Sequence, residues 1–119
     1  MKVLMLSTLV PKETREYCFS KGERPPAADT VQHYILKGFE QNDSVELIDS
    51  IGSERLQMWP KSKIFSLKDS EETRAKGKNR GIGYINLPVL GFYIREKRII
   101  KAARQWALDH KDEQDVLVF

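Results

Sequence analysis

The sequence predicts a single α/β domain built on a mainly parallel sheet. Three observations support this prediction: an apolar strand opens the chain, an amphipathic helix and a second apolar strand follow it, and a long helix precedes a last apolar segment. The 119 residues, 40% hydrophobic and 31% charged, have the size and balance of one globular domain. We therefore expect residues 1–119 to form one domain around one core.

The first strand is predicted at Lys2–Leu6. Its apolar residues fall on both faces, which is typical of a strand covered by helices on both sides, so we place it in the interior of the sheet. The next segment, Pro11–Arg24, has mixed charge and no apolar periodicity. We interpret it as a loop that holds at most a helical turn, and its length favours a functional role.

A helix is predicted from Pro26 to just before Asn42, because apolar residues recur there at intervals of three and four. Those residues are Ala28, Val31, Ile35, Leu36 and Phe39. A second strand is predicted at Val45–Ile51, ended by Gly52. The order strand, helix, strand predicts a right-handed crossover and therefore two parallel strands.

The segment Gly52–Arg80 is rich in lysine and arginine and shows no clear period, so we predict irregular and mobile structure there. Gly81–Pro88 alternates apolar and other residues, which predicts a short strand closed by the proline. Its opening, Gly81-Ile82-Gly83, is interpreted as a flexible entry to that strand.

The clearest helical pattern in the chain covers Gly91–His110. The face predicted to dock on the sheet contains Phe92, Ile99, Ala103 and Trp106. Asp115–Phe119 has the composition of a further buried strand. Together these elements predict a Rossmann-like three-layer domain, with helices on both faces of a mainly parallel sheet.

Composition argues against several classes of protein. The net charge is +3, from 20 basic and 17 acidic side chains, which is too mild for a dedicated nucleic-acid binder, so we expect no nucleic-acid partner. Cys18 is the single cysteine, which excludes an internal disulfide, and with only His33 and His110 beside it we expect no metal site. No apolar run approaches a membrane span, and Met1–Pro11 is too short for a secretory signal, so we expect a cytoplasmic location.

Ser7 and Thr8 directly follow the first strand, where a dinucleotide fold would carry its glycine fingerprint. Neither that motif nor a phosphate-loop lysine motif is present, which argues against a nucleotide site. Hydroxyl groups at this edge of the sheet can hydrogen-bond a hydroxylated ligand, and the alternative is that they only cap the loop. Cys18 has no base near it in the sequence and is interpreted as an inert thiol, and Glu71-Glu72 as a solvated surface pair.

Basic side chains are concentrated on the long helix and just after it: Arg95, Lys97, Arg98, Lys101, Arg104 and Lys111. Three of them, Lys97, Lys101 and Arg104, lie opposite the predicted inward face. Such a surface attracts anionic lipid headgroups, which predicts peripheral contact with the inner face of the plasma membrane. The alternative is a basic face that only keeps the helix in solution.

Three segments resemble the amino-terminal domain of bacterial family 4-type glycosyltransferases: Met1–Ser7 at the start, Lys37–Phe39 late in the first helix, and Gly81–Leu90 before the long helix. The strongest element is Asn86-Leu87-Pro88-Val89-Leu90, together with the helix and strand that follow it. The likeness extends over most of the chain. None of these motifs is catalytic, so the resemblance concerns the fold more directly than the chemistry.

The resemblance implies the amino-terminal half of a GT-B fold, in which two Rossmann-like domains face each other across a cleft. This half receives a carbohydrate or glycolipid acceptor of cell-surface polysaccharide assembly, and Ser7, Thr8 and Leu9 are the candidate acceptor-binding residues. The carboxyl-terminal domain, which binds the nucleotide-sugar donor, is absent from the sequence. The resemblance therefore implies no cofactor within this chain, no activity of the chain alone and no catalytic residue that can be named.

The sequence departs from that family in the loop after the first strand, which lacks the usual glycines. A second hypothesis is accordingly a non-catalytic α/β interaction module that docks a partner subunit through an exposed sheet edge. A third, a flavodoxin-like nucleotide-binding or flavin-binding protein, is disfavoured by the absence of a phosphate loop.

Overall fold

A computed structural model of the chain describes residues 1–21, 28–54, 56, 64–113 and 115–119. In chain order, the helices and strands of these residues are β1 (Lys2–Ser7), α1 (Lys12–Ser20), α2 (Ala28–Gln41), β2 (Leu47–Gly52), β3 (Ser70–Arg74), β4 (Gly77–Gly81), α3 (Leu90–Asp109) and β5 (Val116–Val118). The predicted α/β class is confirmed.

The five strands form one mixed, mostly parallel sheet in the order β3-β4-β2-β1-β5. β1 is parallel to β2 and to β5, and β2 is parallel to β4. Only β3 is antiparallel, paired with β4 as a hairpin. From β1 the chain proceeds outward through β2 to β4 and then returns to the opposite side of β1 as β5, so the direction of winding reverses between β1 and β5.

Helices cover both faces of the central strands. Val3 and Met5 of β1 pack with Leu36 of α2 in one buried cluster. Leu4, which points to the opposite face, packs with Trp106 of α3 in a second buried cluster. Because β1 is paired on both sides and buried on both faces, its predicted place in the sheet interior is confirmed.

The prediction of a loop after β1 is wrong over the described part of that segment, because α1 forms there. This helix is polar along most of its length and buries only two side chains, Thr14 and Cys18. Cys18 packs in a third cluster with Leu56, Leu67 and Tyr84, which are distant in the sequence. Tertiary contacts therefore stabilise α1, and a scan for apolar periodicity cannot detect them.

The prediction of irregular structure over Gly52–Arg80 is wrong where β3 and β4 form their hairpin; residues 55 and 57–63 of that segment lie outside the described residues. The predicted strand Gly81–Pro88 is also misplaced, because β4 ends at Gly81 and only an isolated bridge joins Ser66 to Ile85 beyond it. Hydropathy patterns do not detect strands made of polar residues. Here β3 lies at the edge of the sheet, where polar residues are tolerated.

Two helix faces differ from their predicted burial. On α2, Leu36 is fully buried, whereas Val31 is 60% exposed and Ile35 is 39% exposed. On α3, Trp106 is buried as predicted, but Phe92 at the other end is 43% exposed. Each helix therefore covers the sheet with a narrower strip than its apolar pattern indicates.

The last strand, β5, is present as predicted but is not buried. It lies at an edge of the sheet, where β1 is its one partner among the strands that the structure describes. Its side chains are all exposed by at least a third. Strand composition predicted the element correctly, while its burial depended on what covers it in the folded chain.

Two ion pairs join the start of β1 to the segment before β5. Lys2 Nζ donates to Glu113 Oε1 at 2.6 Å, and the amino terminus lies 3.6 Å from Asp115 Oδ2. The hydrogen bond with Lys2 lowers the pKa of Glu113 below its ordinary value of 4.5. The same bond raises the pKa of Lys2 above 10.5.

We expect Glu113→Gln to lower the melting temperature slightly between pH 5 and 8, the range in which both partners are charged. Because the pKa of Glu113 is lower in the folded state, its contribution is present above the ordinary value of 4.5 and is lost as the pH falls through the folded value. The contribution of Lys2, whose pKa is raised, is lost only in strong base. Thermal melts from pH 3 to pH 8 measure the difference, with Asp112→Asn as the control. A difference that is as large at pH 3 as at pH 7 contradicts the prediction.

Candidate functional site

The carboxyl-terminal ends of the parallel strands lie at one edge of the sheet. These ends are Ser7, Gly52, Gly81 and Val118. In open α/β sheets, ligands bind beyond this edge at the point where the strand order reverses. That point lies between β1 and β5, where the Leu6 N–H donates to the Phe119 carbonyl oxygen at 2.7 Å. The candidate functional site is therefore the loop that follows β1.

Ser7 is the last residue of β1 and Thr8 is the first residue of the loop, where the sequence predicts them. Ser7 Oγ lies 3.1 Å from Ser50 Oγ of β2 and accepts a hydrogen bond from the Leu9 N–H at 3.1 Å. The backbone N–H and the hydroxyl of Thr8 both donate to Gln32 Oε1, at 3.1 and 3.0 Å. These bonds order the loop and place hydroxyl and amide groups side by side.

Gln32 of α2 is a site residue that the sequence analysis missed. Its side-chain oxygen accepts both hydrogen bonds from Thr8, so its amide group lies next to the loop. The amide nitrogen, which makes no hydrogen bond among the described residues, carries two N–H donors. A polar residue on a helix gives no sequence signal of such a role, since most such residues face solvent.

Leu9, the third predicted site residue, is fully buried in the cluster that contains Val3 and Met5. Its carbonyl oxygen packs against Gly52 of β2, where a Cβ atom would lie only 1.9 Å away. Leu9 therefore places the loop through its packing, and its side chain presents no surface to a ligand.

A buried charge lies just beyond the end of β2. The side chain of Glu54 is 2% exposed and pairs with Arg15 of α1, whose Nη2 lies 3.5 Å from Glu54 Oε2. The Tyr84 hydroxyl donates to the Glu54 carbonyl oxygen at 2.7 Å and accepts from the Leu56 N–H at 2.9 Å. Because an unpaired buried carboxylate is strongly destabilising, this pairing fixes α1 to the loop after β2.

A groove of about 380 Å³ lies between α1 and the segment that leads into β3. Glu13 and Tyr17 line it from α1, and Ser66 and Lys68 line it from the opposite wall. Asp69, also on that wall, is held by Arg98 at 3.1 Å. The groove therefore offers an aromatic ring, a carboxylate, an ammonium group and a hydroxyl, a mixture of groups suited to a small polar ligand.

This groove belongs to the same edge of the sheet as the loop after β1. Ser70, which lines the groove, pairs with Gly81 at the end of β4. The hydroxyls of Thr14 and Ser70 contact each other beside it. Strands are spaced about 4.8 Å apart, so β3 lies roughly 14 Å from β1.

The described residues contain no cluster of side chains suited to nucleophilic catalysis or to metal binding. Cys18 is 1% exposed, His33 lies on the exposed side of α2, and His110 stacks on Trp106 with the ring centroids 4.1 Å apart. Within the described ranges, no group of three or more metal-ligating side chains comes together.

The segment that carries the strongest resemblance forms the entry to α3. Asn86 is fully buried, and its Oδ1 accepts a hydrogen bond from the Phe65 N–H at 2.7 Å. The Leu90 N–H donates to the Pro88 carbonyl oxygen at 2.7 Å, and between them Val89 has φ 68° and ψ −52°. This is a classic γ-turn, a strained conformation for a β-branched residue.

Val89→Gly is expected to raise the free energy of unfolding by about 1 kcal/mol, because glycine adopts positive φ without strain. Val89 is 87% exposed, so little packing is lost. Urea denaturation followed by circular dichroism measures the change. The matched control is Val31→Gly in α2, an exposed valine in a regular helix, which should destabilise the chain slightly. Equal effects at the two positions contradict the argument.

Comparison with protein-family models, with curated proteins and with solved structures found no match for this chain. None of the helices in the described part of the chain is long and apolar enough to cross a membrane. Lys97, Lys101 and Arg104 are exposed on α3, as the sequence predicts.

Proposed function

We propose that the chain is the acceptor-side domain of a GT-B glycosyltransferase that acts on a carbohydrate or glycolipid acceptor. The observation that carries this proposal is the position of Ser7 and Thr8, next to the reversal of strand order between β1 and β5. The parallel strands follow the order β4-β2-β1-β5, which corresponds to the order 3-2-1-4 of a Rossmann-like half. Helices on both faces of the sheet support the same assignment.

The groups at this edge fit a polyhydroxylated ligand. Ser7, Thr8 and Gln32 carry hydroxyl and amide groups that exchange hydrogen bonds with sugar hydroxyls without placing a charge in the site. The groove beside Tyr17 and Glu13 provides a second contact region about 14 Å away along the same edge. An acceptor of more than one sugar residue could contact both regions.

In this proposal the chain contributes binding and orientation. This domain holds the acceptor hydroxyl beside the anomeric carbon of a nucleotide sugar that a second domain holds. The acceptor oxygen bonds to that carbon as the bond to the nucleoside diphosphate breaks, and the hydroxyl proton leaves with the diphosphate. Fixing two reactants in the correct geometry removes much of the entropic barrier to a bimolecular reaction. The chain alone is therefore expected to bind an acceptor without transferring sugar.

Titration of the ¹⁵N-labelled chain with soluble disaccharides of glucose, galactose and N-acetylglucosamine tests the proposal. We expect saturable shifts of the Thr8 and Leu9 amide resonances and of the Gln32 side-chain amide with at least one disaccharide. A UDP-sugar should produce no comparable shifts, because the donor site belongs to the second domain. Shifts with the nucleotide sugar alone, or none with any saccharide, contradict the proposal.

Gln32→Ala is expected to weaken binding of that disaccharide about tenfold, the effect of losing one or two hydrogen bonds. Gln41→Ala, an exposed glutamine at the end of the same helix, is the matched control and should leave the affinity unchanged. Equal affinities of the two variants would show that the amide of Gln32 does not contact the sugar.

A non-catalytic interaction module is the second candidate, favoured by the exposed outer edge of β5. The side chains of Leu117 and Val118, on opposite faces of β5, are both partly exposed. β1 pairs with one edge of the strand. The occupant would be an extended strand of a partner subunit, added parallel to β5. If the gene encodes a second Rossmann-like domain after residue 119, the glycosyltransferase proposal gains support; a stop codon there favours the interaction module.

A further inference from the structure

The outer side of α3 carries apolar and basic side chains together. At about 100° per residue, seven positions share this side: Leu90, Tyr93, Lys97, Ile100, Lys101, Arg104 and Leu108. Leu90 and Tyr93 are each 56% exposed and Ile100 is 57% exposed. Large apolar side chains this open, in a row on one helix, are typical of an interaction surface.

The charge on this side has one sign. Lys97, Lys101 and Arg104 provide three cations, while the two acids of α3, Glu96 and Asp109, lie about 90° and about 130° from the centre of this side. Lys97 Nζ lies 4.7 Å from the centroid of the Tyr93 ring, so the ammonium group lies against the aromatic ring on this side of the helix.

The two arginines of α3 other than Arg104 lie in its first half, and both bind groups of the protein. Arg95 Nη2 donates to the Ser53 carbonyl oxygen at 2.9 Å, and Arg98 Nη2 donates to both oxygens of Asp69 at 3.1 Å. In contrast, Lys101 and Arg104 make no ion pair among the described residues. The outward cations are therefore distinct from those that hold the fold together.

We propose that this side of α3 binds the surface of a bilayer that contains anionic lipid. Cations attract anionic headgroups, and leucine, isoleucine and tyrosine side chains enter the boundary between headgroups and acyl chains. Leu90 and Ile100 are separated by about 15 Å along a convex helix surface, a shape that suits a plane better than a pocket. A nucleic acid would contact the cations but would leave the exposed apolar side chains in water.

The proposal is independent of the sugar site but compatible with it. The bond from Arg95 to Ser53, one residue beyond the end of β2, places the first half of α3 at the carboxyl-terminal edge of the sheet. Lipid binding is measured without sugar, so failure of either proposal leaves the other standing.

Co-sedimentation with vesicles tests the proposal. We expect the chain to bind vesicles of phosphatidylcholine with 30% phosphatidylglycerol at 0.1 M NaCl, weakly at 0.5 M NaCl, and not to bind phosphatidylcholine alone. The triple variant Lys97→Gln, Lys101→Gln, Arg104→Gln should lose affinity on the order of a hundredfold, since each cation near an anionic surface contributes about fivefold. The double variant Leu90→Ser, Tyr93→Ser should lose the binding that persists at high salt.

The control replaces three exposed lysines elsewhere, Lys12, Lys21 and Lys37, with glutamine and should keep most of the binding. Circular dichroism verifies that every variant is folded. Equal recovery on neutral and anionic vesicles, or equal loss in the control and the α3 triple variant, overturns the proposal. Tighter binding to double-stranded DNA than to anionic vesicles also overturns it, because the occupant would then be a nucleic acid.

Discussion

Trp106→Ala is expected to lower the free energy of unfolding by about 3–5 kcal/mol. Trp106 is 6% exposed and packs with Leu4 and Ile51 in the cluster between α3 and the sheet. Its Nε1 donates to Asp49 Oδ2 at 2.7 Å, and Asp49 Oδ1 accepts from the Lys78 N–H at 2.9 Å. The substitution therefore leaves a cavity and removes a donor from a carboxylate that also links β2 to β4.

Urea denaturation separates these two effects. Trp106→Phe fills most of the cavity but removes the hydrogen bond to Asp49, and should cost about 2 kcal/mol. Leu108→Ala, two residues further along the same helix and 55% exposed, is the control and should change the stability by no more than about 0.5 kcal/mol. If Trp106→Ala and Leu108→Ala have similar stabilities, α3 does not pack on the sheet as described.

Gly52→Ala is expected to cost about 3 kcal/mol or more, although it adds a single methyl group. The new Cβ atom would lie 1.9 Å from the Leu9 carbonyl oxygen and 2.9 Å from its carbonyl carbon, both backbone atoms. Backbone cannot rotate away as a side chain can, so the end of β2 must separate from the loop after β1. We expect the Thr8 and Gln32 amide resonances to shift and the affinity of that loop for any saccharide to change.

Gly38→Ala is the matched control, because it makes the same chemical change where a Cβ atom would meet nothing within 4 Å. Gly38 lies inside α2 and is exposed, so alanine there should stabilise the chain by about 1 kcal/mol. The two substitutions are thus expected to have opposite signs in the same urea titration. A Gly52→Ala variant as stable as Gly38→Ala would contradict the close approach of the two backbones.

The candidate site was predictable in part. Ser7 and Thr8 follow an apolar strand, and polar residues at that position lie at the carboxyl-terminal edge of a parallel sheet. Gln32 joins them only because α2 packs above the loop, and Glu54 meets Arg15 only because α1 folds against the end of β2. No local pattern marks a polar helix residue as a partner of a loop 24 residues away in sequence.

The sequence by itself determined the α/β class, the interior position of β1, the parallel pairing of β1 with β2, and the presence of α2, α3 and β5. These features depend on the periodicity of apolar residues, which shows which side chains of a single segment are buried away from water. The tertiary structure decided the helix α1, the polar hairpin of β3 and β4, the exposure of β5 and the outward apolar residues of α3. These depend on which segments become neighbours, a property of long-range pairing that hydropathy in a local window does not contain.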